Sequence, residues 1–334
     1  MSSNRVDIAA LLARLSLPAD NPPKDSKFTL CSDPDSVKEA VDALSSCSTI
    51  ILDCEALSLG NQGGTLSLIS LRTTPVSSAR TFIIDAVALS SEDLQPILDL
   101  IQSNAIQKVV FDGRMDYSAL YFEYNTRIQN VIDLQLADIQ SRTLRGEATI
   151  SQRNRLIGYL LRSEVNGRRK GRYEQIHVLA GIARCLRDHD LQVQDKSVLD
   201  HSRWLERPLP PLYLSYAAHD VYIIGIIYNH FLQKNYLGKS LAAQSARYAS
   251  IWENSQPREG DVYRRNPLLP LEILSSNSSL TQHTRVCSGC ERSLTDRSFD
   301  GNGTKCWVCM AVDVSEGSKT ERAKFRRVNP GRRY

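Results

Sequence analysis

Hydrophobic and polar positions repeat in two distinct periods along the chain, and the switches between them mark its elements. Three β-rich runs, Thr49 to Glu55, Thr65 to Arg72 and Thr81 to Asp85, follow one another closely. Gly60, Gly63 and Gly64 supply turn chemistry between the first two, so the runs predict an antiparallel meander. A helical period then covers Glu92 to Ser103, followed by a strand at Lys108 to Phe111, a helix at Asp116 to Tyr124 and a short strand at Asn130 to Asp133. Strands that alternate with helices imply α/β layers with some parallel pairing. Helical periodicity resumes at Glu174 to Asp188, and a Pro-rich turn at Arg207 to Pro211 precedes a longer helix from Leu212 to about Leu232. Near the start, Asn4 to Leu15 reads as a short amphipathic helix set apart by the Pro-rich segment Leu17 to Lys24.

After Leu237 the pattern loosens, and the Ser and Asn cluster at Ser275 to Ser279 reads as a linker. The expected organisation is an N-terminal helix and linker over 1–26, a main domain over 27–237, a helical extension and linker over 238–280, a cysteine-rich module over 281–315 and a basic tail over 316–334. With 42% hydrophobic and 23% charged residues among 334, the chain can bury a sizeable core and lies outside the composition of disordered proteins. Its apolar runs are far shorter than the roughly 20 residues a membrane span needs, so no membrane association is expected. The first ten residues lack a basic segment followed by an apolar run of about 7–15, so an intracellular protein of nucleus or cytoplasm is expected, not a secreted one.

The net charge of +4 conceals a division. Between Ile139 and Tyr173 nine basic residues, including Arg153, Arg155, Arg168, Arg169, Lys170 and Arg172, face only Glu147 and Glu164. From Gly317 to Tyr334 seven basic residues face only Glu321. These segments carry +7 and +6, which leaves −9 over the remaining chain. Concentrated Lys and Arg attract phosphate without regard to sequence, and Tyr159 and Tyr173 could add base stacking; a solvated basic loop is the plainer alternative. The tail could grip phosphates, serve as a nuclear import signal or be disordered.

Candidate chemistry begins at Asp53-Cys54-Glu55, which ends the run Thr49-Ile50-Ile51-Leu52. Side chains two apart on a strand share a face, and paired carboxylates suit a hard divalent cation such as Mg²⁺ or Mn²⁺. The bland alternative is a solvated strand end. In Val110-Phe111-Asp112-Gly113-Arg114-Met115-Asp116 acidic residues stand where a strand turns into a helix, with Asp116 also suited to a helix cap. In Tyr216-Ala217-Ala218-His219-Asp220 the tyrosine and the last aspartate lie one turn apart on one helix face, an arrangement an ordinary amphipathic helix would share.

Taken in order, these three motifs resemble those of the DEDDy 3′-to-5′ exonucleases, in particular the ribonuclease D, Egalitarian and Werner-exonuclease type. Val131-Ile132-Asp133-Leu134-Gln135-Leu136-Ala137 and Trp204-Leu205-Glu206-Arg207-Pro208-Leu209-Pro210 resemble that family's connecting segments, and the likeness spans about Lys27 to Leu237. It implies a ribonuclease H-like mixed sheet flanked by helices. It also implies metal ligands at Asp53, Glu55, Asp116 and Asp220 and a water-orienting tyrosine at Tyr216. Asp112 is the rival for the second motif, but register favours Asp116. A related subgroup has histidine five residues before the last aspartate, where this chain has Ser215, and His219 reads as structural or as part of the site's rim. Position 56 is Ala where relatives often carry Gly. The implied chemistry is hydrolysis at a 3′ end by two divalent ions about 3.5–4 Å apart. The implied partner is a single strand or 3′ overhang, RNA favoured over DNA.

Cys287-Ser288-Gly289-Cys290 and Cys306-Trp307-Val308-Cys309, separated by 15 residues, match a structural Cys₄ zinc site. Disulfides are disfavoured in a reducing compartment. Leu294 and Phe299 would form its minimal apolar packing, and it would contact nucleic acid or a protein partner. Cys31, Cys47, Cys54 and Cys185 read as core thiols. No phosphate-binding loop or Gly-x-Ser-x-Gly elbow occurs. The competing expectation is a non-catalytic nucleic-acid-binding adapter.

Overall fold

The computed structural model describes residues 27–75, 78–193, 199–275 and 283–328. The helix expected at Asn4 to Leu15, most of the linker at Ser275 to Ser279 and the end of the basic tail lie outside them.

In chain order the elements begin with β1 (Thr29–Cys31), α1 (Pro34–Ser45), β2 (Thr49–Leu57), β3 (Thr65–Thr73), β4 (Thr81–Asp85) and α2 (Ser91–Gln102). They continue with β5 (Gln107–Val110), α3 (Arg114–Tyr124), β6 (Val131–Asp133) and α4 (Leu134–Leu144). Short helices α5 (Thr149–Asn154) and α6 (Arg162–Asn166) lead to α7 (Ile182–Asp188), the long α8 (Pro211–Gln233) and α9 (Leu241–Ala249). A hairpin of β7 (Thr284–Val286) and β8 (Ser293–Thr295) precedes α10 (Trp307–Val328).

The first six strands form one mixed sheet in the order β1-β4-β3-β2-β5-β6. β2, β3 and β4 pair antiparallel as the expected meander, while β1, β5 and β6 join in parallel. Strand parity sorts β2 between two cores. Ile50, Leu52, Cys54 and Ala56 pack with α1, α2 and α3, whereas Ile51 belongs to the cluster built with α4, α8 and α9. Asp53 and Glu55 share the parity of Ile51 and so face the side that α8 covers. A register shift lies directly after Glu55. Bulges of this kind re-aim neighbouring side chains.

Packing does not stop at Leu237. Leu241 and Tyr248 of α9 are fully buried, and Ser245 Oγ accepts a 2.9 Å bond from the Asp133 amide. The helix expected at Glu174 to Asp188 forms only from Ile182. His177 to Leu179 instead extends to pair with Pro267 to Leu269, a tertiary bond pattern that overrides the local helical period.

The cysteine-rich segment has a larger core than Leu294 and Phe299. Val308, Ala311 and Val312 join them against Leu156, Leu160, Val165 and Tyr173 of the basic segment, Ile176 just after it, and Leu268 and Leu271 of the connecting chain. Among the described residues no helix is long and apolar enough to cross a membrane.

Candidate active site

Two distant parts of the chain meet at the carboxylates. Asp53 and Glu55 from β2 and Asp220 from α8 each offer an oxygen, and these atoms lie within 4.8 Å of one another. What seats α8 is the turn before it. Arg207 donates to both oxygens of Asp85 at 3.0 and 2.8 Å and to Ser67 Oγ at 3.1 Å. Ser67 Oγ in turn donates to the Trp204 carbonyl, and the Trp204 ring meets Tyr213 at 4.9 Å and Tyr216 at 6.2 Å between centroids.

Tyr216 stands one helical turn before Asp220. Burial, then the charges of Asp220, Glu55 and Asp53, push its hydroxyl pKa well up, so it remains a protonated donor at neutral pH. Asp116 is outside the close trio, yet it reaches the same place. Its Oδ1 accepts a 2.8 Å bond from the Cys54 amide, the peptide between the two acids of β2. Burial pushes its carboxyl up to about 7. Asp112 takes the supporting part: with φ of 59° it holds Arg114 at 2.6 and 2.9 Å and accepts from Tyr248 Oη at 3.2 Å. The amides of Asp112 and Gly113 donate to Asp133 at 3.1 and 2.9 Å, tying the turn to β6. His219 is buried and stacks on Tyr222 at 6.0 Å.

Three hard carboxylates converging on one point fit a divalent cation by donor chemistry. The four sulfurs of Cys287, Cys290, Cys306 and Cys309 also lie within 4.8 Å of one another, all as free thiols in buried positions. Cys287 Sγ accepts from the amides of Gly289 and Cys306 at 3.4 and 3.2 Å, the bonding a thiolate calls for. A Cβ on Gly289 would come within 2.8 Å of Cys309 Sγ, so only glycine fits this knuckle. This donor set fits a tetrahedral zinc ion. Asp138, Cys185 and His189 also cluster, but Asp138 is bound by Arg142 at 2.8 Å, Arg145 at 3.4 Å and His189 at 3.1 Å. Two guanidinium groups there already supply the positive charge.

A sequence profile of the 3′-5′ exonuclease family matches residues 28–235. The chain belongs to that family. No curated protein matches it significantly. Among solved structures this exonuclease is similar to Trypanosoma brucei RNase D, with 21% identity, 70% of this chain and 75% of that one covered, and a TM-score of 0.51. The same protein in complex with RNA U12 gives 22% identity, 69% and 72% coverage and a TM-score of 0.50. Escherichia coli RNase D gives 17% identity, 72% and 54% coverage and a TM-score of 0.44.

The basic residues divide by burial. Arg168, Arg169 and Lys170 are exposed on the exonuclease surface. Arg172 pairs with Asp300 at 3.1 Å and lies over Trp307 at 5.9 Å, bridging to the cysteine-rich module. Arg153 is half-buried and donates to Asn166 at 3.4 Å. Arg155, expected at the nucleic-acid surface, is instead turned inward: Glu147 holds it at 2.6 and 2.8 Å and Asp188 closes its other side. Both carboxylates occupy its donors, so it ties the basic segment to the end of α7.

Residues beyond 237 that brace the site escaped the sequence reading. α9 lies within the helical extension expected over 238–280, and its Leu241, Gln244, Ser245 and Tyr248 recur at helical spacing, but their role beside the site was not read from the sequence. Nothing local announces that Tyr248 reaches Asp112, because the two are 136 positions apart.

Proposed function

We propose that this exonuclease removes nucleotides from the 3′ end of single-stranded RNA and releases nucleoside 5′-monophosphates. The observation that carries the reading is the meeting of Asp53, Glu55 and Asp220 from separate elements, with Tyr216 one turn away and Asp116 bonded to the peptide between the first two. Asp53, Glu55 and Asp220 would hold one Mg²⁺ or Mn²⁺, and Asp116 with Asp53 would serve a second. Ions so held lower the pKa of a bound water and neutralise charge on the phosphate. The protonated Tyr216 hydroxyl orients the attacking water, and the sheet and α8 hold the acids in place. Arg168, Arg169 and Lys170 draw in the phosphate backbone, and Cys287, Cys290, Cys306 and Cys309 hold a structural zinc ion. The preference for RNA rests on the likeness of fold to RNase D, one structure of which carries RNA U12. A non-catalytic adapter would have no use for the complete acidic set.

The test is digestion of 3′-labelled single-stranded RNA and DNA of one sequence with Mg²⁺ or Mn²⁺, comparing wild type with Asp53→Ala. Wild type should release labelled monophosphate, faster from RNA, and the variant none. Equal release by both proteins, or none from either, overturns the catalytic reading.

A further inference from the structure

The chain between α9 and the cysteine-rich module runs across the back of the second acidic motif. Glu253 accepts from Tyr117 Oη at 2.8 Å, next along α3 from Asp116. Gln256 Nε2 donates to the carbonyls of Asn61 at 3.1 Å and Gly60 at 3.4 Å. The Pro257 carbonyl accepts from the Gln62 amide at 2.9 Å, and Arg258 Nε donates to Gln62 Oε1 at 3.0 Å. These contacts clamp the β2–β3 loop from outside.

On its inner side that loop bears on the helix that carries Asp116. Ser118 Oγ donates to the Gly60 carbonyl at 2.6 Å. A Cβ on Gly60 would come within 2.5 Å of the Met115 carbonyl oxygen, and its φ of 65° also demands glycine. The loop is therefore wedged between the first turn of α3 and residues 256–258.

The far end of this strap is fastened to the four-cysteine module. Arg264, only 8% exposed at its side chain, pairs with Glu291 in the turn after Cys290 and lies over Trp252 at 5.7 Å. Tyr263 Oη donates to Asp313 at 2.6 Å, and Lys305 binds the same carboxylate at 2.8 Å. Glu272 accepts from the Thr295 amide at 2.8 Å and Ser298 Oγ at 2.7 Å.

We infer that residues 253–265 are a strap, tensioned by the cysteine module, that positions Asp116 by pressing the β2–β3 loop onto α3. Gln256, Arg258 and Arg264 are positioning residues for the reaction proposed above, on which the catalytic half of this inference rests. Without the strap, the loop loses its outer support and α3 its lock, while Asp53, Glu55 and Asp220 keep theirs. The signature is a fall in turnover with substrate binding retained.

The test uses the full chain with Gln256→Ala/Arg258→Ala, which frees the loop, and Arg264→Met, which unhooks the strap while leaving all four cysteines. Zinc content, hydrogen exchange and kinetics on 3′-labelled RNA are measured for each. Both variants should retain the wild-type zinc content, and the Asn61 and Gly64 amides should exchange about tenfold faster, as expected for a loss of one or two hydrogen bonds. kcat should fall about tenfold with KM within about twofold. Chelator extraction of the wild type should raise exchange at the same amides. Unchanged exchange at residues 60–64 overturns the strap. Faster exchange with unchanged kcat overturns its positioning of Asp116. Faster exchange in a protein whose wild type digests nothing upholds the strap and overturns the exonuclease reading instead.

Discussion

Asp116 Oδ1 lies 2.8 Å from the Cys54 amide, so an acid borne by a helix is tied to the peptide between the two acids of β2. Asparagine preserves an acceptor at that point and removes the charge. Since burial pushes this carboxyl up to about 7, ionising it near neutrality costs folding free energy. Asp116→Asn should therefore melt, free of divalent metal at neutral pH, at or above the wild-type temperature, and lose about 100-fold in kcat/KM on 3′-labelled RNA. A variant that unfolds more readily would mean that the charge itself is structural.

Burial and three nearby acids keep the Tyr216 hydroxyl protonated and able to donate. Tyr216→Phe should lower kcat about 100-fold, the low end of what a positioned proton donor contributes. Calorimetric Mn²⁺ affinity should stay within about twofold, because the carboxylates are intact. A loss of metal binding of the same size would place the hydroxyl among the ligands.

Asp138 of α4 is the hub of an ion-pair network with Arg142, Arg145 and His189. Burial favours its protonation, but the His189 hydrogen bond and the Arg142 guanidinium outweigh that and hold its carboxyl down at about 2. A lowered carboxyl pKa contributes stability above the unfolded value, near 4, and loses it as pH falls through about 2. Asp138→Asn should cost about 3–5 kcal/mol at pH 7 by leaving Arg142 buried without its counter-charge. Urea midpoints of variant and wild type should converge as pH falls from about 4 toward about 2.

Arg168, Arg169 and Lys170 are exposed, whereas Arg155 is held inward by two carboxylates. Replacing Arg168, Arg169 and Lys170 by Ala should reduce the slope of log affinity for single-stranded RNA against log salt by about 2, since each phosphate contact on a single strand contributes about 0.7. Arg155→Met should lower the melting temperature and leave that slope unchanged, because Glu147 and Asp188 already hold its guanidinium. Filter binding across a salt series, beside thermal melts, reads both.

The meander was legible because turn glycines and β-rich runs are local signals, and β2, β3 and β4 form where they predict. The shared faces of Asp53 with Glu55 and of Tyr216 with Asp220 were legible because two positions along a strand and four along a helix are local spacings, whereas Asp116 was singled out over Asp112 only by the family resemblance. The helix expected through His177 was not, because those residues bond to Pro267 to Leu269 across the fold. Arg155 looked like its exposed neighbours because a charge count carries no burial.

Sequence alone determined which side chains are candidates for the chemistry: the Asp-x-Glu strand end, the Tyr-x-x-x-Asp turn and the paired Cys-x-x-Cys knuckles are written in consecutive residues. Only tertiary structure decided that Asp220 meets Glu55, that the cysteine module shares its core with the basic segment, and that residues beyond 237 brace the turn before Asp116. Those relations depend on which buried faces find each other after the chain has closed long loops. Hydrophobic burial drives that closure without direction, so no short stretch of sequence encodes its outcome.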